Sequence, residues 1–312
     1  MADISPMQTE TEPALIVARG VHKHYGPIRA VDGVDLDIRP GELFGLIGHN
    51  GAGKSTMFKM MLGLIPVTSG DIRIDGARVS GGDFRAVRRS VGYLPENVVL
   101  YDNLTGLETL HFFSRLKGVS AAENHRVLER VGLGHAARRR VREYSKGMRQ
   151  RLGFAQALLG KPRFLFLDGR TSGRDPEAIR SFGAVLRQLR SEGVTMVITS
   201  HILAEIQERV DRLAIMTAGK IQACGTVQAL REQMALPLRI DIRVDAEHLD
   251  AMRTALGQLP VSAIEAHAGH IALQCRREAK MAVIEALAQD GRVRDLTVRE
   301  PSLEDVFFGF SD

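Results

Sequence analysis

The run Gly48-His49-Asn50-Gly51-Ala52-Gly53-Lys54-Ser55-Thr56 constrains this chain more than any other stretch. It follows the apolar pentapeptide Leu43-Phe44-Gly45-Leu46-Ile47, which has the length and texture of a buried strand, and it leads into an apolar helical pattern over residues 56–64. A glycine-rich turn at that place lets backbone N–H groups wrap phosphate oxygens, and the helix N-terminus adds its positive dipole end. The spacing GxxxxGK[ST] predicts that Lys54 reaches the terminal phosphates of a nucleotide and that Ser55 holds Mg²⁺. The remaining residues of the run, Gly48 to Gly53 and Thr56, line the phosphates.

The rest of the chain fits around this turn. Short buried strands are expected at 91–94, 164–167, 196–199 and 212–216, and helical patterns cover 106–117, 121–131, 148–159 and 179–190. Strands that alternate with helices and lack a polar face predict an α/β core with a parallel sheet. Near residue 236 the texture changes. Leu238, Ile240, Ile242 and Val244 alternate strictly with polar residues, and Leu249, Met252 and Leu256 follow at helical spacing. Two strands around Gly269, a helix marked by Met281, Ile284 and Leu287, and a strand over 293–298 complete the order of a ferredoxin-like α+β domain. The expected division is a flexible N-terminus over 1–13, a nucleotide-binding domain over 14–235 with a helical subdomain at about 97–160, and a regulatory or dimerisation domain over 236–312 that ends in a docking tail.

Composition narrows the function classes. With 44% hydrophobic and 25% charged residues the chain is not disordered. Two cysteines, Cys224 and Cys275, cannot build a disulfide framework or a zinc knuckle, and their apolar surroundings predict buried or half-buried thiols in a reducing compartment. Residues 1–13 lack a basic, apolar leader, and no run reaches the roughly 18 apolar residues of a membrane span. The net charge of +5 comes from arginine, 34 against 8 lysines, spread along the chain. The densest run, Arg138-Arg139-Arg140, reads as a solvated or docking face rather than a nucleic-acid groove.

Asp168 closes the apolar strand Phe164-Leu165-Phe166-Leu167. An aspartate at the C-terminal end of a core strand, beside a phosphate loop, suits a magnesium contact. Ahead of it, Tyr144-Ser145-Lys146-Gly147-Met148-Arg149-Gln150-Arg151 resembles the signature of the ATP-binding-cassette (ABC) ATPases. Tyr25-Gly26, Gly92-Tyr93-Leu94-Pro95-Glu96-Asn97 and Thr199-Ser200-His201 resemble that family's adenine-stacking, Q and switch-histidine loops, in the family's order, over about residues 15–235. The resemblance implies a P-loop domain with a RecA-like core, an antiparallel β subdomain and a helical subdomain, using ATP and Mg²⁺. It implies that Tyr25 stacks on adenine and that Lys54, Glu96 and His201 serve catalysis. Ser55, Glu96 and Asp168 would hold the metal, and Ser145, Gly147 and Asp175 would meet the nucleotide across a head-to-tail pair of chains.

The segment Pro301-Ser302-Leu303-Glu304-Asp305-Val306-Phe307 resembles the tail of the subgroup that serves ABC-2-type permeases. That implies a multispanning permease as partner, at the cytoplasmic side of the cell membrane, and no nucleic acid. Within the subgroup, His49, Leu94-Pro95-Glu96-Asn97, His111-Phe112 and the run at 144–151 resemble the ATPase that serves copper-centre maturation of nitrous oxide reductase. Copper-centre assembly, with a periplasmic copper-site maturation protein in the complex, follows as an expectation. The departures are Lys146 for glycine, Arg170 for proline, Arg174 for leucine, Glu96 for glutamine, and Gly169 where the family carries its catalytic glutamate. Gly169 predicts ATP binding of ordinary strength with slow turnover, or an ATP-gated clamp that does not hydrolyse. It also predicts that Gly169→Glu raises the rate.

Overall fold

A computed structural model describes residues 14–169, 176–200, 209–234, 236–267, 269–302 and 305. The chain divides into two compact units, Met1–Cys224 and Gly225–Asp312.

The first unit carries two sheets. Strands β1 (Ile16–Tyr25), β2 (Ile28–Ile38), β4 (Ser69–Ile74) and β5 (Ala77–Arg78) form a four-stranded sheet in the order β2-β1-β4-β5, with antiparallel pairing throughout. Strands β1 and β2 form one long hairpin, with Ile16 opposite Ile38 and Tyr25 opposite Ile28. Its middle lacks a clean period of two because the β1–β2 register shifts between Ala18 and His24 and Gly20 takes a left-handed φ of 50°.

The second sheet has six strands in the order β10-β9-β3-β8-β7-β6. These are β3 (Leu43–Ile47), β6 (Val91–Leu94), β7 (Phe164–Leu167), β8 (Thr195–Ser200), β9 (Arg212–Thr217) and β10 (Lys220–Gly225). Strands β9, β3, β8, β7 and β6 run parallel. All residues of β3 and β7 are buried, which is why both read as continuous apolar runs. Helix α1 (Lys54–Met61) packs on this sheet through Met57, Phe58, Met60 and Met61, with Phe58 edge-on to Phe166 at 5.4 Å between ring centres. Helix α2 (Phe84–Arg89) was not legible in the sequence, since it buries only Phe84.

Between β6 and β7 lies a helical subdomain of α3 (Gly106–Lys117), α4 (Asn124–Arg130) and α5 (Lys146–Leu158). Thr105 starts α3 with a capping box: its hydroxyl accepts from Glu108 N–H at 3.2 Å, and the Glu108 carboxylate accepts from Thr105 N–H at 2.8 Å. The buried Ser114 hydroxyl donates to Asn124 at 2.8 Å and ties α3 to α4. Helix α6 (Pro176–Ser191) connects β7 to β8.

The second unit holds α7 (Val227–Met234), β11 (Leu238–Val244), α8 (Leu249–Leu256), β12 (Val261–His267), β13 (His270–Cys275), α9 (Lys280–Gln289) and β14 (Val293–Arg299). The sheet order is β12-β13-β11-β14, and every pair is antiparallel. That is the ferredoxin-like arrangement expected from the strand–helix pattern. Leu238, Ile240, Ile242 and Val244 turn inward against Met252, Leu256, Val283 and Leu287.

One of the two thiols departs from expectation. Cys275 is buried, but Cys224 is exposed, because β10 alternates and turns Ala223 inward instead. Among the described residues no helix is long and apolar enough to cross a membrane. Most of the expected docking tail, residues 303–304 and 306–312, lies outside the described residues, as do residues 1–13.

Candidate active site

The sheet order decides which residues meet. The C-terminal ends of β3, β8, β7 and β6 stand side by side, and each is followed by a run singled out in the sequence. Such a row of carboxyl ends is where open α/β sheets take their ligands.

After β3 the chain turns through the glycine run into α1. Gly48 and Gly53 are required by close backbone approach: a Cβ would stand 2.3 Å from Met216 O at Gly48 and 2.3 Å from Ala30 O at Gly53, where φ is also 103°. Gly53 is the N-cap of α1 and supplies no side-chain hydrogen bond to the first turn. The opening N–H groups of a helix have no intrahelical acceptor, so this turn offers a row of donors to an anion. Lys54 Nζ curls back over the turn and donates to Gly48 O at 2.7 Å and His49 O at 2.8 Å. Burial pulls the Lys54 ammonium below its ordinary pKa, opposed by the charges of Asp168 and Glu96, which face it. His49, Asn50 and Ser55 are exposed at the mouth, and Ala52 is buried beneath it.

Asp168 follows β7 and is almost fully buried. Its Oδ1 accepts from the Thr199 hydroxyl at 2.6 Å, and Tyr93 of β6 lies near its carboxylate. Burial and the Asp168 charge together push the Tyr93 phenol above its usual pKa. Thr199 takes a second bond, from Gly169 N–H at 2.8 Å. The sequence runs contain Tyr93 and Thr199 but give them no role. Their signal is position alone, at the ends of the strands that flank β7. Glu96, two residues beyond β6, completes the group that faces Lys54.

Other expected residues lie elsewhere. Tyr25 ends β1 half exposed, with Lys23 Nζ 5.0 Å from its ring centre. Ser145 is the N-cap of α5, its hydroxyl accepting from Met148 N–H at 3.3 Å, and Gly147 sits in the first turn beside open space. Buried Tyr144 anchors that turn through a bond to Ala136 O at 2.7 Å; a Cβ on Gly106 would stand 2.3 Å from its hydroxyl. Among the described residues no contact joins Ser145 or Gly147 to Lys54 or Asp168. His201, Asp175, Arg170 and Arg174 lie outside the described residues.

The donors present fit a nucleoside triphosphate and its cation. An uncapped helix start and a lysine meet phosphate, and the Asp168 and Glu96 carboxylates with the Ser55 hydroxyl are the hard oxygen ligands that Mg²⁺ takes.

A parallel sheet with this turn, this lysine and this aspartate defines a P-loop nucleotide-binding ATPase domain. The chain belongs to the ATP-binding subunits of ABC transporters. Residues 31–172 match the ABC transporter family model, and residues 225–309 match the C-terminal domain of DrrA1-3-like ATP-binding proteins. The chain is 31% identical over 306 residues to the linearmycin resistance ATP-binding protein LnrL of Bacillus subtilis, covering 95% of this chain and 98% of that protein. It is 33% identical over 302 residues to the daunorubicin resistance ATP-binding protein DrrA3 of Streptomyces coeruleorubidus, covering 94% of each. Among solved structures, an ATP-binding subunit of an ABC transporter superposes with a TM-score of 0.65 at 31% identity, over 70% of this chain and 92% of that one. A dimeric bacterial ABC transporter cassette gives 0.61 at 26% identity, over 68% of this chain and 98% of the other. The chain is thus an ATP-binding and ATP-hydrolysing subunit of the kind that powers a membrane complex, and the family context supports a self-dimer and a permease partner.

Proposed function

We propose that two copies of this chain close head to tail over two ATP molecules at the cytoplasmic face of the cell membrane and drive an ABC-2-type permease. The observation that carries this reading is the convergence of Lys54, Asp168 and Glu96 at the ends of β3, β7 and β6. Lys54 exchanges its two carbonyl acceptors for phosphate oxygens and neutralises charge that develops on the leaving and transferred groups. Ser55, Asp168 and Glu96 would hold Mg²⁺, which supplies charge neutralisation across the β and γ phosphates. Thr199 fixes the Asp168 carboxylate through its hydroxyl. Tyr25 presents a half-exposed ring for adenine. Ser145 and Gly147 serve the ATP held by the other copy, Asp175 belongs to the nucleotide site, and His201 contacts the γ-phosphate. The C-terminal unit is regulatory or dimerising; it carries a complete apolar core of its own.

An exposed apolar patch on the helical subdomain supports the permease contact there. Val99, Tyr101, Phe112 and Leu116 are all exposed, and the Tyr101 and Phe112 rings meet edge to face at 5.6 Å. LnrL and DrrA3 are named for resistance to linearmycin and daunorubicin, which supports export of a drug as the cargo reading. Copper-centre assembly of nitrous oxide reductase is the second reading and is carried by the runs around His49, Glu96, His111 and Ser145. Deleting the gene separates them: loss of drug tolerance with intact nitrous oxide reductase copper centres supports export, and the reverse pattern supports assembly.

A further inference from the structure

We propose that His22, His24 and Asp32 form a binding site for a divalent transition-metal ion of the zinc class, on the β1–β2 hairpin and separate from the metal position of the nucleotide cleft.

Strand geometry brings the three residues together. His22 and His24 stand two apart on β1, so their side chains leave the same face of the strand. Their rings lie edge to face with centres 5.7 Å apart. The β1–β2 register passes from Val21 opposite Val34 to Lys23 opposite Val31, an irregularity that sets Asp32 beside His22. His22 Nδ1 and Asp32 Oδ1 are 3.1 Å apart. One ligand atom from each of the three residues lies within 4.8 Å of the other two. Around a tetrahedral ion with bonds of about 2.1 Å such atoms stand about 3.4 Å apart, so small side-chain rotations close the site. The backbone beneath is held in place. His24 N–H donates to the Thr68 hydroxyl at 3.0 Å, Thr68 N–H to His22 O at 2.8 Å, and Asp32 N–H to Gly219 O at 2.9 Å. All three side chains are half-buried, which leaves an ion a path in from solvent.

His24 points to a ligand most directly. Its Nε2 is buried and has no hydrogen-bond partner among the described residues. Buried polar atoms are normally satisfied, and an ion between the two rings would take that nitrogen's lone pair. The donor set selects the ion. Two imidazoles and a carboxylate suit Zn²⁺, Ni²⁺ or Cu²⁺, whereas Mg²⁺ and Ca²⁺ prefer oxygen ligands. Arg29 Nη1 and Lys220 Nζ each stand 3.6 Å from Asp32 Oδ2, so they take that oxygen and leave Oδ1 to the imidazoles. Both cations are well exposed, and solvent screens their repulsion of the ion. A second group, Asp245, Glu247 and His248, is more exposed, and its Asp245 is engaged by Arg294 at 2.8 Å.

The test uses the full-length chain, stripped with chelator and free of nucleotide, with Zn²⁺ as the probe and Co²⁺ as its spectroscopic reporter. The natural chain should bind Zn²⁺ at this site, give the visible absorption of four-coordinate Co²⁺, and melt at a higher temperature with Zn²⁺ than without. His22→Gln and His24→Gln should each weaken Zn²⁺ binding at least about tenfold and remove the Co²⁺ band. Lys23→Gln, between them on the opposite face, should leave both signals unchanged. Melting of each variant in chelator shows that it has folded. Zn²⁺ affinity equal in the natural chain and both histidine variants would overturn the proposal. So would loss of binding on Asp168→Asn or His248→Ala instead, which would put the ion in the nucleotide cleft or the second unit.

Discussion

Thr199 donates its hydroxyl proton to Asp168 at 2.6 Å while receiving the Gly169 N–H at 2.8 Å, so one buried hydroxyl fixes both residues that follow β7. Thr199→Val keeps the shape but leaves a buried carboxylate short of a donor and an amide without its acceptor. That should lower stability by about 1–3 kcal/mol and slow turnover. Urea unfolding of Thr199→Val beside Thr199→Ser checks it. Serine retains the hydroxyl and should recover most of the loss.

Lys117 gives a pH signature. Its Nζ donates to Leu159 O at 2.7 Å in a half-buried position, and burial pushes its pKa down from 10.5 to about 8. Between those values the unfolded chain binds more protons at this residue than the folded one, so this residue's share of the stability rises with pH from about 8 to 10.5. Below about 8 the folded state carries the full penalty of a buried charge. The stability difference between the natural chain and Lys117→Gln should therefore shift in favour of the natural chain across that window. Chemical denaturation at pH 7.5 and pH 10 measures it, and a difference flat with pH would refute the assignment.

The apolar patch on the helical subdomain should matter to the complex and not to the cleft. Leu116→Asp places a charge on an already exposed position, so folding and nucleotide affinity should hold. Co-purification with the permease should fall at least tenfold, the scale of about 1.4 kcal/mol of lost contact. A cysteine placed at Tyr101 should crosslink to the permease. Crosslinks confined to this chain would contradict the docking face.

Much of this architecture is legible because burial and periodicity coincide. The strands β3 and β7 are covered on both faces and contain nothing but apolar residues and a glycine, and the second unit alternates cleanly from Leu238 to Val244. The glycine run reads directly for the same reason, since Gly48 and Gly53 answer backbone oxygens 2.3 Å from where a Cβ would be. What the sequence hides is lateral. Tyr93, Glu96, Asp168, Gly169 and Thr199 come from three strands, and only the order β8-β7-β6 makes them neighbours. Read in sequence, Gly169 is a missing carboxylate. Read in the fold, it is the space that Glu96 occupies. A glutamate placed there would meet a left-handed φ of 74° and a Glu96 Cγ 2.6 Å from its Cβ.

ATP hydrolysis in this cleft depends on Lys54 at the phosphates. Steady-state phosphate release at saturating MgATP, compared between the natural chain and Lys54→Ala, tests it most directly. The account predicts magnesium-dependent release from the natural chain and a fall of at least about 10²-fold on losing the Lys54 ammonium, in keeping with the loss of a preorganised charge at a transferring phosphoryl group. Equal release from both proteins would contradict it.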